Sequence, residues 1–318
     1  MSARVAIAVV TVGPKEVLAA ALDSMRTDVD AGLAEVWVVD NGSTDGSGTL
    51  VAERYPWARL LVPDENLGYG RAVNLVAERS EAPWIAASND DVELRRGALE
   101  RLLAAGERHP RVGALAPRLE LPDGSTQHSV HPFPTLGFTL AFNLGLYALS
   151  RRAADRRCLE GAWNPTVARE VPWAMAAFLP VRREAFAALG GFSSEQFMHA
   201  EDLDLGWRLA RAGWSTWYEP AATVLHRGSV STSIAYGERL RQHWVDATYA
   251  WLGRTRGPAV ARTTAAINLA GAAVRAAALA PLAKARPERW GGRFAESRSW
   301  LVAHRAGLRR RDELLRRR

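Results

Sequence analysis

Apolar and polar positions alternate in a recognisable order along the first two thirds of the chain. Residues 5–11 form a short β-branched run and predict a buried strand. Over 16–25, Val17, Leu18, Ala21, Leu22 and Met25 recur at the spacing of one helix face. Residues 36–39, 59–62, 84–88 and 112–116 read as further strands, with helices over 68–79 and 96–107 between them. Pro122, Asp123-Gly124, Pro132 and Pro134 make 119–138 a hairpin and irregular loop, and 139–160 turns from apolar to basic, a loop carrying a helix. A strand pattern returns at 171–181, followed by helices over 182–189 and 202–212 and short strands at 214–218 and 223–225. Beyond Gly228 the chain becomes Ala- and Arg-rich helix, with breaks expected at 253–258 and 287–292. Strand–helix alternation of this kind predicts an α/β fold with a mostly parallel sheet covered by helices on both faces. Ligands bind such sheets beyond the carboxyl ends of the strands. The polar residues to inspect are therefore Thr11, the stretch 40–45 and the stretch 89–91.

Composition narrows this picture. At 318 residues the chain can bury one full α/β core and carry an appendage. Its hydrophobic share of 48% and charged share of 24% are ordinary for a globular protein and exclude global disorder. Cys158 is the single cysteine, so no internal disulfide forms, as in a reducing compartment. The apolar run at the N-terminus is short and followed by Pro14, Lys15 and Glu16, which reads as a first strand rather than a signal peptide. No charge-free run of 18 apolar residues is present, so no standard membrane span is expected. The net charge of +7 is uneven. Residues 284–318 hold 12 Lys/Arg against 4 Asp/Glu, or +8, which leaves 1–283 at −1. Basicity belongs to the tail, which argues against nucleic acid as the partner of the main body.

Four motifs carry candidate chemistry. Asp40, closing a strand in VVDNGSTDGS, is a fixed acceptor for a base or ribose edge; the plain alternative is a helix N-cap. In SNDDV, Asp90 and Asp91 follow a strand, and adjacent carboxylates repel unless a cation joins them. Hard oxygen donors suit Mg2+ or Mn2+ bridging a diphosphate, against the alternative of a solvated acidic turn. Glu201, Asp202 and Asp204 open an amphipathic helix, where acids favour the macrodipole and Asp204 could pair with Arg208 at i, i+4. The functional alternative is a general base for an acceptor hydroxyl. His226 follows a strand in TVLHRGS, and it gains weight as a ligand only from the acids around it.

Taken in order and spacing over roughly residues 4–231, VAIAVVT, VVDNGSTDGS, ENLGYGRAVN, SNDDV, the stretch 178–214 and His226 with RGSVS resemble glycosyltransferase family 2, in its rhamnosyltransferase-like branch. The resemblance implies an inverting GT-A fold, Rossmann-like with a mostly parallel sheet flanked by helices, over 1–231, and a helical, basic C-terminal extension over 232–318. It implies that Thr11, Asp40, Asn41 and Asn66 line the nucleotide pocket, with Arg71 reaching the diphosphate and Asp90 facing the nucleotide. It assigns Asp91 and His226 as ligands of Mg2+ or Mn2+, Asn89 as a weaker one, and Asp202 as the base, with Glu201 next and Asp204 third. Two positions depart from the family pattern. Val12-Gly13 replaces a polar pair after the first strand, and Asn89 replaces the usual Asp of the metal motif. The implied donor is dTDP-L-rhamnose, with a UDP-sugar as the alternative, and the implied acceptor is a cell-envelope glycan or polyprenyl-diphosphate-linked sugar.

The expected location is cytoplasmic, peripheral at the inner face of the cell membrane through an Ala-rich segment (259–283) and the Arg-rich end, against the alternative of core-packed helices with a solvated terminus. Two other classes compete. A sugar nucleotidyltransferase would want a Gly-rich basic loop after the first strand, for which Val12-Gly13-Pro14-Lys15 is a poor fit. A non-enzymatic membrane or nucleic-acid adaptor would use the tail and leave Asp202 idle.

Overall fold

A computed structural model describes residues 3–195, 199–228 and 240–314. Met198 of the acidic motif, residues 229–231 after His226, the expected boundary at 231–232 and the last arginines lie outside the described residues. The chain divides into two compact units, residues 1–132 with 157–235, and residues 133–156 with 236–318.

The first unit is built on a nine-stranded sheet. Its strands are β1 (Val5–Thr11), β2 (Ala34–Asp40), β3 (Arg59–Leu61), β4 (Trp84–Asn89), β5 (Val92–Leu94), β6 (Val112–Glu120), β8 (Arg169–Val171), β10 (Phe178–Arg182) and β11 (Ser215–His226); β7 (Val130–His131) pairs separately with β9 (Trp173–Ala174). The order is β3-β2-β1-β4-β10-β6-β11-β5, with β8 on β11. β3, β2, β1, β4, β6 and β11 run one way, while β10, β5 and β8 run against them. The sheet is mostly parallel, as the strand–helix alternation predicts.

β1 is buried at every residue because both faces of the sheet are covered. Val5, Ile7 and Val9 join a core with Leu18, Leu22 and Met25 of α1 (Lys15–Asp30), Val51 of α2 (Ser47–Arg54) and Leu99, Leu102 and Leu103 of α4 (Ala98–Arg108). Ala6, Ala8 and Val10 join the opposite core, with Val73 and Val76 of α3 (Tyr69–Ala77), Phe186 of α7 (Arg183–Ala188) and Leu205 and Leu209 of α8 (Glu201–Arg211). The period-2 alternation of one strand thus feeds two hydrophobic layers.

Three expectations change. The pattern over 171–181 is not one strand: Pro172 cannot donate to a ladder, and the chain turns away through 175–177 between β9 and β10. The two short strands at 214–218 and 223–225 are one strand, β11, with a register shift between Glu219 and Thr223 around Pro220. In the second unit the helices are α5 (Leu136–Asn143), a 3-10 turn (Leu146–Leu149), α6 (Arg151–Arg156), α9 (Leu240–Arg256), α10 (Pro258–Ala285) and α11 (Pro287–Leu314). The first break falls at Gly257, inside the expected 253–258, while the second falls at Arg286 rather than within 287–292, so Gly291-Gly292 lie inside a helix; each break precedes a proline that starts the next helix. α10 is long and apolar enough, by length and composition, to cross a membrane. It carries Arg262 and Arg275, and Arg275 turns to Asn143 within its own unit, Nη1 to Oδ1 3.1 Å.

Candidate functional site

Thr11, Asp40, Asn89 and His226 are the last residues of β1, β2, β4 and β11, four strands of one direction. Register fixes the first three as neighbours: Thr11 lies opposite Asp40, and Val10 opposite Asn89. His226 lies opposite Val92, and the Arg227 amide donates to the Asp91 carbonyl at 3.0 Å, which draws β11 to the turn carrying the two aspartates.

On the β1–β2 side the geometry is that of a preformed polar cradle. Both Asp40 oxygens are held by Ser43, through its amide and its hydroxyl, each at 2.8 Å. Gly48 is needed here, since a Cβ at that position would stand 2.7 Å from Asp40 Oδ2. Capping, the plain alternative for this motif, falls to Asp45, which accepts from the Lys15 amide at 2.6 Å and from the amide and hydroxyl of Ser47. Burial pushes the Asp45 carboxyl up, but the Ser47 hydroxyl and these amides outweigh it and hold the group below its ordinary range. Asn41 donates from Nδ2 to Asn66 Oδ1 at 3.0 Å and accepts from the Leu67 amide at 2.8 Å, tying the end of β2 to the loop that enters α3. Arg71 stands apart from this cradle: its guanidinium lies 3.4 Å from Glu65 at the surface.

On the β4–β11 side Asp90 and Asp91 are both buried. Asp90 accepts from the Thr11 hydroxyl at 2.7 Å. Asp91 Oδ1 is 3.3 Å from His226 Nε2, and the Asn89 amide nitrogen is 3.4 Å from that same ring nitrogen. Among the described residues no group of three His, Cys, Asp or Glu side chains assembles into a closed metal cage. One carboxylate, one imidazole and one amide are instead a donor set that leaves room for substrate oxygens, the usual arrangement for a cation held partly by phosphates. Asn89 presents Nδ2 to the ring, so it joins that set only with its amide turned over.

One positioning residue escaped the sequence reading. Gln127 Oε1 lies 2.6 Å from His226 Nδ1, where it can accept a hydrogen bond from the ring, and Nε2 is the ring nitrogen that faces Asp91. The signal was absent from sequence because Gln127 is 99 residues away, in a loop that returns to the sheet through the Glu120–Thr126 bridge and the bond from the Gln127 amide to the Leu119 carbonyl.

The acidic motif joins the site through backbone. His199 and Ala200 both adopt φ of 64°, a left-handed conformation that costs a residue with a Cβ about 1–3 kcal/mol, and this launches α8 with Glu201 and Asp202 in its first turn. Gly206 lets the helix lie close on β9, where a Cβ would stand 2.5 Å from that of Trp173. Asp202 Oδ1 accepts from the Leu203 amide at 2.8 Å and Oδ2 from the Ala176 amide at 3.4 Å. The same short segment reaches β4, the Ala177 carbonyl accepting from the Asn89 amide at 2.8 Å. It also reaches α3, the Ala176 carbonyl accepting from the Tyr69 hydroxyl. Tyr69 is the second residue missed. Burial first, then the charges of Glu201, Asp202, Asp91 and Asp90, hold its phenol well above the ordinary range, so one hydroxyl feels both acidic groups.

The acids differ in environment. Burial raises both Glu201 and Asp202. Glu201 is pushed further by the charge of Asp202, whereas the Leu203 and Ala176 amides pull Asp202 back. The two environments therefore push the pair apart, with Glu201 raised further than Asp202. Asp204 pairs with Arg208, Nε to Oδ2 2.7 Å, and Arg208 also donates to the Leu189 and Gly191 carbonyls, an arrangement that anchors α8.

Comparison with known proteins fits this geometry. The family model described as Glycosyl transferase family 2 matches residues 6–157. The chain is 38% identical over 223 residues to the N-acetylglucosaminyl-diphospho-decaprenol L-rhamnosyltransferase of Mycobacterium tuberculosis, covering 65% of this chain and 71% of that protein. It is 31% identical over 130 residues to the rhamnosyltransferase WbbL of Escherichia coli, covering 41% of this chain and 46% of the relative. Among solved structures, the mannosyltransferase PcManGT of Pyrobaculum calidifontis, in complex with GDP-Man and Mn2+, superposes with a TM-score of 0.61 at 20% identity, over 97% of this chain and 87% of that one. At that identity the likeness is one of fold, and it places the sheet and its flanking helices among GT-A enzymes.

Proposed function

The chain belongs to glycosyl transferase family 2, and on that premise we propose that it transfers L-rhamnose from dTDP-L-rhamnose to a polyprenyl-diphosphate-linked N-acetylglucosamine at the cytoplasmic face of the membrane, with inversion. The observation that carries the transferase reading is that residues 176–177 tie two acidic groups together: the Ala176 amide donates to Asp202, and the Ala177 carbonyl accepts from the amide of Asn89, beside Asp91 and His226. The choice of rhamnose and of a lipid-linked acceptor rests on the name of the mycobacterial relative. In this reading Thr11, Asp40, Asn41 and Asn66 hold the nucleoside, Asp90 is fixed by Thr11, and Asp202 takes the proton of the acceptor hydroxyl. The acceptor oxygen then bonds to the anomeric carbon as the bond from that carbon to the phosphate oxygen breaks, and the nucleoside diphosphate leaves. Asp91 and His226, with Asn89 turned over, would hold Mg2+ or Mn2+, which when bound offsets charge on the diphosphate. The test is calorimetric titration of dTDP-L-rhamnose, UDP-hexoses and GDP-mannose with each cation. Tightest binding of the dTDP sugar supports the reading; preference for a UDP sugar replaces the donor, and no binding of any nucleotide sugar overturns it.

Two further results are expected. Replacing Gln127 with Leu removes the acceptor on His226 Nδ1, and the Mn2+ concentration needed for half-maximal donor binding should rise about 10–100-fold. Gln127→Glu keeps an acceptor there and should restore most of the loss; equal effects of the two variants would mean that Gln127 only fills space. The pH profile of kcat follows from Asp202, which must be ionised to act. Because burial raises its carboxyl, the rate should fall on acidification at a midpoint above the ordinary carboxylate value of about 4. A midpoint at that ordinary value would remove Asp202 from the role.

A further inference from the structure

Trp251, Leu252 and several alanines give the second unit an apolar interior, but α5 and part of α10 turn polar residues inward and large apolar ones outward. α5 reads LGFTLAFN; it buries Thr139 and turns Leu140 and Phe142 outward. Its inward polar residue Asn143 donates to Asn268 Oδ1 of α10 at 2.8 Å and accepts from Arg275. α10 repeats the inversion: Thr264 is buried and Asn268 and Arg275 face the unit's own interior, while Val274 is 68% and Leu282 43% exposed. Beyond α5 the chain continues with Leu144 at 63%, Leu146 at 49% and Leu149 at 84% exposure. Five large apolar side chains within residues 140–149 therefore face outward, and a soluble surface does not concentrate them in this way. Arg151 and Arg152 follow at once, both exposed, and the sequence holds no Asp or Glu between Asp123 and Asp155.

We propose that α5, the 3-10 turn after it and the start of α6 dock the protein on an anionic lipid bilayer, the leucines entering the acyl boundary and the arginines resting on lipid phosphates. The pattern of apolar tip followed by Arg151 and Arg152, with no carboxylate before Asp155, matches that surface, since cations next to inserted apolar residues meet the anionic headgroups. The element does not span: α5 has eight residues where a crossing helix needs about 20. The proposal rests on the lipid-linked acceptor of the preceding reading for its purpose, but not for its test.

The test is flotation of the full chain, without donor or acceptor, on vesicles of phosphatidylcholine alone and of phosphatidylcholine with phosphatidylglycerol. The chain should float with the anionic vesicles and be released by high salt. Leu144→Ser/Leu146→Ser/Leu149→Ser should weaken that binding at least about tenfold, because each side chain withdraws apolar area from the interface. The residues are exposed, so the fold and the calorimetric affinity for the donor should stay as in the parent. Arg151→Gln/Arg152→Gln should abolish the preference for anionic over neutral vesicles. Binding unchanged in the leucine variant would overturn the proposal, as would salt-resistant retention, which means a spanning helix, or self-association in solution that the leucine variant abolishes, which means a second copy covers the face. Donor binding that fails while flotation succeeds would overturn the transferase reading alone.

Discussion

Asp202→Asn is expected to lower kcat about 10²–10⁴-fold while leaving nucleotide-sugar affinity essentially unchanged, the signature of a lost general base. The substitution preserves size, and an amide oxygen can still accept from Leu203, the shorter of the two backbone contacts. What it removes is the lone pair that takes the acceptor proton. Glu201→Gln provides the comparison. Burial and the neighbouring charge of Asp202 raise the Glu201 carboxyl, and Gln is close to a protonated Glu in shape and hydrogen bonding. Its effect on kcat should therefore be smaller than that of Asp202→Asn by about a factor of ten or more. The two kcat values, measured at saturating donor on a soluble acceptor analogue, decide between the acids; the reverse order assigns the base to Glu201. Full activity in both variants would mean that α8 carries no catalysis and would return the chain to the non-enzymatic alternative.

Legibility in the sequence follows the range of the forces involved. The strands and helices of the sheet could be read because burial on two faces writes a local pattern: seven consecutive buried residues in β1, and an apolar face in α1 and α4. The strand-end residues could be read too, since topology alone puts Thr11, Asp40 and Asn89 at one edge. What could not be read depends on contacts across the chain. Gln127 reaches His226, Tyr69 reaches Ala176, and Ala176 in turn holds Asp202, with separations of 99, 107 and 26 residues. Local propensity also misleads where a proline is absorbed: Pro220 sits in a register shift inside β11, while Pro172 ends a strand. The pattern of 139–160 was legible as apolar then basic, but not as inverted. Which side of α5 faces inward is set by Asn268 and Arg275 on α10, far along the sequence.

The second large effect is expected at Asp91, and its two readouts should move in opposite directions. Asp90 and Asp91 are adjacent and buried, so in the metal-free protein their charges repel and each bears a desolvation cost. Asp91→Asn removes one charge, and the thermal midpoint in EDTA should rise, by about 2–4 °C for each kcal/mol relieved in a unit of this size. Asp90 keeps its bond to Thr11, so the turn retains its shape. The same change leaves His226 as the single strong ligand, and the stabilisation conferred by Mn2+ together with the nucleoside diphosphate should be lost. Losing the cation forfeits several kcal/mol of charge stabilisation on the departing diphosphate, so kcat/KM should fall about 10³-fold. Asp90→Asn serves as the control. An amide can still accept from the Thr11 hydroxyl, and Asp91 with His226 remain, so the Mn2+-dependent shift should survive. If Asp90→Asn abolishes that shift while Asp91→Asn preserves it, the cation belongs on Asp90 and the pairing of Asp91 with His226 is structural.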